Sequence, residues 1–189
     1  MVVLETNRLE LHPVSVEDLL LLESDPLSEK LFADKSFTNP YQVLQIGPSP
    51  VRFRAPQVRQ NPELNIWFIR WIVEKSSNQV VGSISFHSAP DGEGRIEIGL
   101  GIAEEKQNLG YAKEALLAMW SWALEMPGVK TFRYTVSPQN APSISVIKFF
   151  DFDHIGVQID EEDGPEDIYE MDCKTFAENL ANYRRKLSL

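Results

Sequence analysis

The chain has 189 residues and a formal net charge of −10. That length suits one domain, and such a domain buries about 70% of the surface its unfolded form exposes without a disulfide or metal staple. The acidity argues against a broad nucleic-acid surface, because phosphate neutralisation needs clustered Lys and Arg. It fits plain solubility, or a cationic partner such as an amine or a basic peptide end.

Cys173 stands alone, so no intrachain disulfide forms and a reducing compartment is expected. The opening MVVLETNRLEL carries charge too early for a secretory signal. No run approaches the roughly 20 apolar residues of a membrane span. The expectation is a soluble, cytoplasmic monomer or homodimer with no membrane or nucleic-acid partner.

Leu9 to Val14 reads as a first strand, and Ser15 before Glu17 and Asp18 as the cap of a helix over Val16 to Glu23. A short helix is expected over Ser28 to Ala33. Residues 38 to 65 hold five prolines and few periodic apolar positions. They read as a long loop with at most one helical turn, either a binding loop or an unstructured insertion. Trp67 to Glu74 and Gln79 to His87 read as a hairpin of strands. Arg95 to Ile102 alternates, with Ile96, Ile98, Leu100 and Ile102 on one face and Glu97, Gly99 and Gly101 on the other.

Tyr111 to Met126 is the most regular helix, with Ala112, Ala115, Leu116, Met119, Trp120 and Ala123 at helical spacing. Val129 to Val136 is a strand and Ala141 to Phe150 a helix. Phe152 to Asp160 and Ile168 to Cys173 are strands joined by the acidic hairpin EEDGPED. A last helix over Thr175 to Lys186 turns Phe176, Leu180 and Tyr183 inward. This order gives a mixed α/β domain on one central sheet.

Three segments carry candidate chemistry. Gln107-Asn108-Leu109-Gly110-Tyr111-Ala112 lies between a strand and a strong helix. The first N–H groups of that helix lack intrahelical partners, and with the helix dipole they attract an anion such as a pyrophosphate. Gly110 and Ala112 let it come close; the alternative is a plain turn. Gly99 and Gly101 leave a groove beside Glu97, made either for a thin ligand arm or by a β-bulge. Asn140, ahead of Ala141-Pro142-Ser143, is a natural helix cap. Three scattered histidines show no ligand spacing, so no metal is expected. Trp67 and Phe68 are candidates for the wall of an acceptor site.

Together these segments resemble the GNAT N-acetyltransferases, and among them the RimJ/RimL-type group that acts on ribosomal proteins. ETNRLELHPVSVEDL looks like that group's opening strand and helix. Gln107-x-x-Gly110-x-Ala112 matches its acetyl-CoA loop, and NAPSISVIKFFDF its later Asn-x-x-Ser segment. The resemblance implies a single domain spanning 1–189 on a mixed, mostly antiparallel sheet of six to seven strands with one splayed pair. It implies acetyl-CoA as co-substrate and an amine acceptor, either a protein N-terminus or a small molecule. The CoA pyrophosphate is then held by Gln107, Asn108, Leu109, Gly110, Tyr111, Ala112 and Lys113. The pantetheine arm pairs with Leu100, Gly101 and Ile102, and Asn140 contacts it.

By the same resemblance Glu97 is the general base, its pKa raised toward neutrality by burial, and Ser143 the proton donor. The alternative for Glu97 is an outward carboxylate or an ion pair with Arg95 or Arg133. Two departures stand out. Ile147 replaces the tyrosine many relatives place seven residues after the Asn, and Asp151 replaces a glycine before Phe152. The first supports a competing reading, a CoA-binding sensor or scaffold without catalysis.

Overall fold

The computed structural model describes residues 2–47, 49–160 and 164–188. Its strands are β1 (Leu4–Glu5), β2 (Leu9–Pro13), β3 (Arg70–Glu74), β4 (Gln79–Phe86), β5 (Arg95–Ile102), β6 (Thr131–Val136), β7 (Asp153–Asp160) and β8 (Gly164–Asp172). They form one sheet in the order β1-β2-β3-β4-β5-β6-β8-β7. That is eight strands rather than six or seven. The two-residue β1, which pairs Leu4 with Leu11, is too short to leave a pattern in the sequence. The acidic hairpin between β7 and β8 lies partly outside the described residues, since 161–163 are not among them.

Every neighbouring pair is antiparallel except β5 and β6, which run parallel. A parallel pair needs a crossover. Here α3 (Tyr111–Leu124) supplies it. Trp120 of α3 is fully buried and packs its indole against Phe132, Phe150, Phe152 and Phe176. These rings join α3 to β6, to the end of α4 (Ala141–Phe149) and to α5 (Cys173–Lys186). Phe176 and Tyr183 of α5 are buried, whereas Leu180 is only partly so. Asp151 takes φ 57°, the left-handed conformation that a glycine would adopt at less cost.

The segment 38–65 departs most from expectation. It contains α2 (Val51–Gln60) and a 3-10 helix over Pro62–Trp67, which moves the start of the next strand to Arg70. Val51, Arg54, Ala55 and Val58 form the buried face of α2, at helical spacing. Pro56 sits inside this helix. Reading prolines only as breakers therefore hid a short apolar stripe.

The N-terminal segment is tied to α3 by a buried carboxylate. Glu114 accepts hydrogen bonds from Thr6 Oγ1 at 2.6 Å, Arg8 N at 3.0 Å and Arg8 Nε at 2.7 Å. Arg8 Nη1 also donates to Leu109 O at 2.9 Å, so the same arginine steadies the loop ahead of α3.

Candidate active site

The loop before α3 turns sharply, with Asn108 at φ 60° and Gly110 at φ 82°. Both are left-handed, a conformation that asparagine and glycine tolerate best. A side chain at Gly110 would also stand 3.4 Å from Arg8 Nη2. The N–H of Gln107 donates to Glu104 O at 3.2 Å, and its side-chain amide donates to Ile102 O at 3.1 Å. Gln107 therefore closes the turn with its own backbone. The N–H groups of Asn108 to Lys113 have no acceptor among the described residues. They open onto a cleft of about 540 Å³.

That cleft brings together most of the expected residues: Leu100, Gly101, Ile102, Gln107, Asn108, Gly110, Tyr111, Ala112, Lys113, Asn140 and Ser143. Leu109 does not line it and turns to solvent. The Tyr111 phenol turns away to donate to Glu74, which also receives Lys106 Nζ at 2.8 Å and Ser77 Oγ at 2.5 Å. Glu74 thereby clamps the loop to the end of β3.

β5 and β6 pair only at Arg95↔Thr131, Ile96↔Phe132 and Glu97↔Arg133. Beyond that point each keeps its outer neighbour, β5 reaching Ile102 opposite Gly82 and β6 reaching Val136 opposite Asp167. The strands therefore part after Glu97. His87 N–H donates to Glu97 O and Ala103 N–H to Val81 O, which fixes the phase of the ladder. Odd-numbered residues of β5 exchange bonds with β4, so the backbone groups of Leu100 and Ile102 point into the gap. No side chain is needed at Gly101, where a Cβ would meet nothing within 4 Å.

Glu97 sits at the fork. Thr135 Oγ1 donates to its Oε1 at 2.6 Å, and His87 Nδ1 stands 3.3 Å from the same oxygen. Neither expected ion pair forms: Arg133 bonds Glu170 at 2.7 Å, and Arg95 turns to Asp91 and Glu93. The expected rise in its pKa is overturned. Burial does push it up, but His87, Thr135 and the field of Arg133 outweigh burial and hold the carboxyl below its ordinary value. Among the described residues His87 and Thr135, and not Glu97, line the cavities beside the gap. The sequence reading missed His87 as a site residue. The hairpin register was the available signal, since the 89–94 turn sets His87 directly across from Glu97.

Across the gap, Ser143 Oγ lies 2.5 Å from Tyr134 Oη. Asn140 caps α4 by accepting from Ser143 N–H at 3.1 Å. Ile147 is fully buried one turn further on, so no acid reaches the gap from there. The Tyr134 ring is buried, which raises its pKa and keeps the phenol protonated, although Ser143 pulls the other way. A second cavity of about 390 Å³ lies against β4 and β5, walled by residues 41–44, by Ile46 and by Arg54 of α2.

The family model described as acetyltransferase (GNAT) domain matches residues 8–153. The chain belongs to the GNAT acetyltransferase family. Membership gives the family and leaves the acceptor open. Among curated relatives, the protein named uncharacterized N-acetyltransferase YjdG of Bacillus subtilis is 31% identical over 127 residues, 66% of this chain and 73% of its own length. The protein named uncharacterized N-acetyltransferase p20 of Bacillus licheniformis is 26% identical over 91 residues, 48% of this chain and about half (51%) of its own length.

Solved structures share the fold. A GNAT-family acetyltransferase from Bacillus anthracis superposes with TM-score 0.60 at 21% identity, over 92% of this chain and 99% of its own. A ribosomal-protein-S5-alanine acetyltransferase from Vibrio fischeri does so with TM-score 0.65 at 13% identity, over 93% and 99%. A RimL ribosomal L7/L12 alpha-N-protein acetyltransferase, solved with coenzyme A, gives TM-score 0.61 at 16% identity, over 90% and 98%. The GNAT donor suits this chain's residues: free amides for a diphosphate, outward backbone groups on β5 for an amide-bearing arm, and a gap clear of side chains at Gly101.

Proposed function

We propose that this chain transfers an acetyl group from acetyl-CoA to a primary amine by direct attack on the thioester. The observation that carries the reading is the parting of β5 and β6 immediately after Glu97, beside a loop with six amides unpartnered among the described residues. Bound acetyl-CoA would supply an acyl group activated as a thioester. The amides of Asn108 to Lys113 hold the diphosphate, and Leu100 and Ile102 align the arm.

His87 takes the proton of the incoming ammonium, because its imidazole reaches both the gap and the 390 Å³ cavity. Glu97 orients that imidazole and balances its charge. The nitrogen then forms a C–N bond and the C–S bond breaks. The sulfur would leave with the electron pair and take a proton from Ser143, and the second proton shed by the new amide nitrogen would restore the Ser143–Tyr134 pair. A backbone N–H of β5 beyond Glu97 steadies the carbonyl oxygen, a contribution of a few kcal/mol at such sites.

Release of free CoA thiol, followed with amino acids, polyamines, aminoglycosides and N-terminal peptides as acceptors, tests this. Acceptor-dependent thiol release is expected. The buried Ile147 favours a second reading, a CoA-binding protein without turnover. Stabilisation by acetyl-CoA with no thiol release from any acceptor would establish that reading instead.

A further inference from the structure

Arg54 is a buried charged group that the proposed chemistry does not use. It lies on the inner face of α2 and is only 5% exposed. Its Nε donates to Phe86 O at 3.1 Å and to Ser85 Oγ at 3.4 Å. Its Nη nitrogens have no acceptor and it forms no ion pair among the described residues. The guanidinium lines the 390 Å³ cavity. Burial lowers its pKa to about 10 against the opposing field of Glu97, which still leaves it charged at neutral pH. Glu97 acts on it only through its field and makes no direct contact, and a buried cation with free donors is costly unless something pairs with it.

The other end of the cavity has the opposite character. His87 lines it too, with Glu97 behind the ring. Ser85, which Arg54 bonds, and His87 are two residues apart on one face of the β-hairpin, about 7 Å along the backbone, so the cation and the His87–Glu97 pair line the same cavity. The intervening walls include Val43, Leu44 and Ile46. The volume is that of a small-molecule site rather than a peptide groove.

We infer that Arg54 is an anion-recognition residue of the acceptor site, and that the acceptor is a small amino-acid-like zwitterion. Its carboxylate pairs with the Arg54 Nη groups and its amine faces His87. This rests on the acetyl-transfer reading for the amine's fate, but the anion site stands on its own geometry. Arginine suits the task because its planar fork binds a carboxylate through two nitrogens.

The test has two arms. In the first, thiol release is measured with L-methionine, L-alanine and β-alanine, each against its own carboxamide, with putrescine and a neutral N-terminal peptide alongside. At least one carboxylate is expected to exceed its carboxamide about tenfold in kcat/KM. Arg54→Met should reduce that ratio below about threefold, mainly through KM. Equal use of carboxamides, better use of putrescine or peptide, or a preference that survives Arg54→Met overturns the inference.

In the second arm, the same amino acids are titrated in thermal melts of the protein, with and without CoA, where no turnover occurs. Stabilisation of the native protein by the carboxylates, absent in Arg54→Met, is expected. If no amine releases thiol, the acetyl-transfer reading fails while this arm still decides the anion site. Absence of carboxylate stabilisation sinks the anion site alone. Should Arg54→Met not fold, Arg54→Lys is used, with the same signs and a smaller change.

Discussion

The phenol oxygen of Tyr134 and the hydroxyl of Ser143 lie 2.5 Å apart, joining β6 to the first turn of α4 across the mouth of the gap. Two hydroxyls at this distance share one proton between them and leave another free to face the cleft. Ser143→Ala is expected to lower kcat about 100-fold, within the range for general acid–base groups. Tyr134→Phe should lower it about tenfold, because it removes support rather than the terminal donor. The double variant should be no worse than Ser143→Ala alone. Steady-state thiol release checks this, and a fully multiplicative double variant shows that the two hydroxyls act separately.

His87 and Glu97 are ranked by a similar comparison. Glu97's folded pKa lies below its unfolded value, so the group is ionised across the neutral range. Whatever stability it contributes is present above the unfolded value and is lost only as pH falls through the folded one. A loss of rate between about pH 8 and 6 therefore does not come from protonating Glu97. His87→Ala should lower kcat/KM about 1000-fold and Glu97→Gln about tenfold, with acetyl-CoA affinity unchanged. A Glu97→Gln variant that loses more than His87→Ala makes the carboxylate itself the base.

Gly99 and Gly101 share a face of β5 yet differ in what they guard. A Cβ at Gly99 would come 3.0 Å from His87 Nε2, whereas one at Gly101 would meet nothing. Gly99→Ala should push the imidazole aside and cost about tenfold in kcat/KM with little change in melting temperature, since misplacement of about 1 Å is felt at that level or more. Gly101→Ala should leave stability intact and keep activity within about threefold. Equal losses in the two variants would mean that the strand's backbone, and not His87, sets the sensitivity.

The sequence carries the phosphate loop and β5 plainly, because both rest on local rules. The alternation from Arg95 to Ile102 and the helix from Tyr111 are periodic, and the left-handed Asn108 and Gly110 suit their conformations. The sequence does not carry the parting of β5 and β6. That feature depends on β4 and β8 holding the outer edges, contacts remote in the chain. α2 was obscured by Pro56, and with it Arg54. The sign of Glu97's shift was missed for a related reason. Burial was foreseeable from the strand pattern, but His87 and Thr135 arrive from two different strands.

Glu74 links stability to the loop and gives the last prediction. Hydrogen bonds from Lys106, Ser77 and Tyr111 outweigh burial and hold its carboxyl at about 2. Its folded pKa is thus below the unfolded value of 4.5. The stability it contributes is therefore present above about pH 4.5 and is lost as pH falls toward 2. Lys106 shifts upward through the same contact, so its share persists below its unfolded value and is lost only as pH rises through the folded one. Glu74→Gln should cost about 1–3 kcal/mol at pH 7, a charge-assisted network being broken on one side only. The gap between the two proteins in urea denaturation should close as pH falls from about 4.5 toward 2. Because Lys106 precedes the free amides and Tyr111 lies among them, the same variant should weaken acetyl-CoA binding about fivefold, a loss of roughly 1 kcal/mol. An unchanged affinity alongside the stability loss would show that the loop keeps its shape without Glu74.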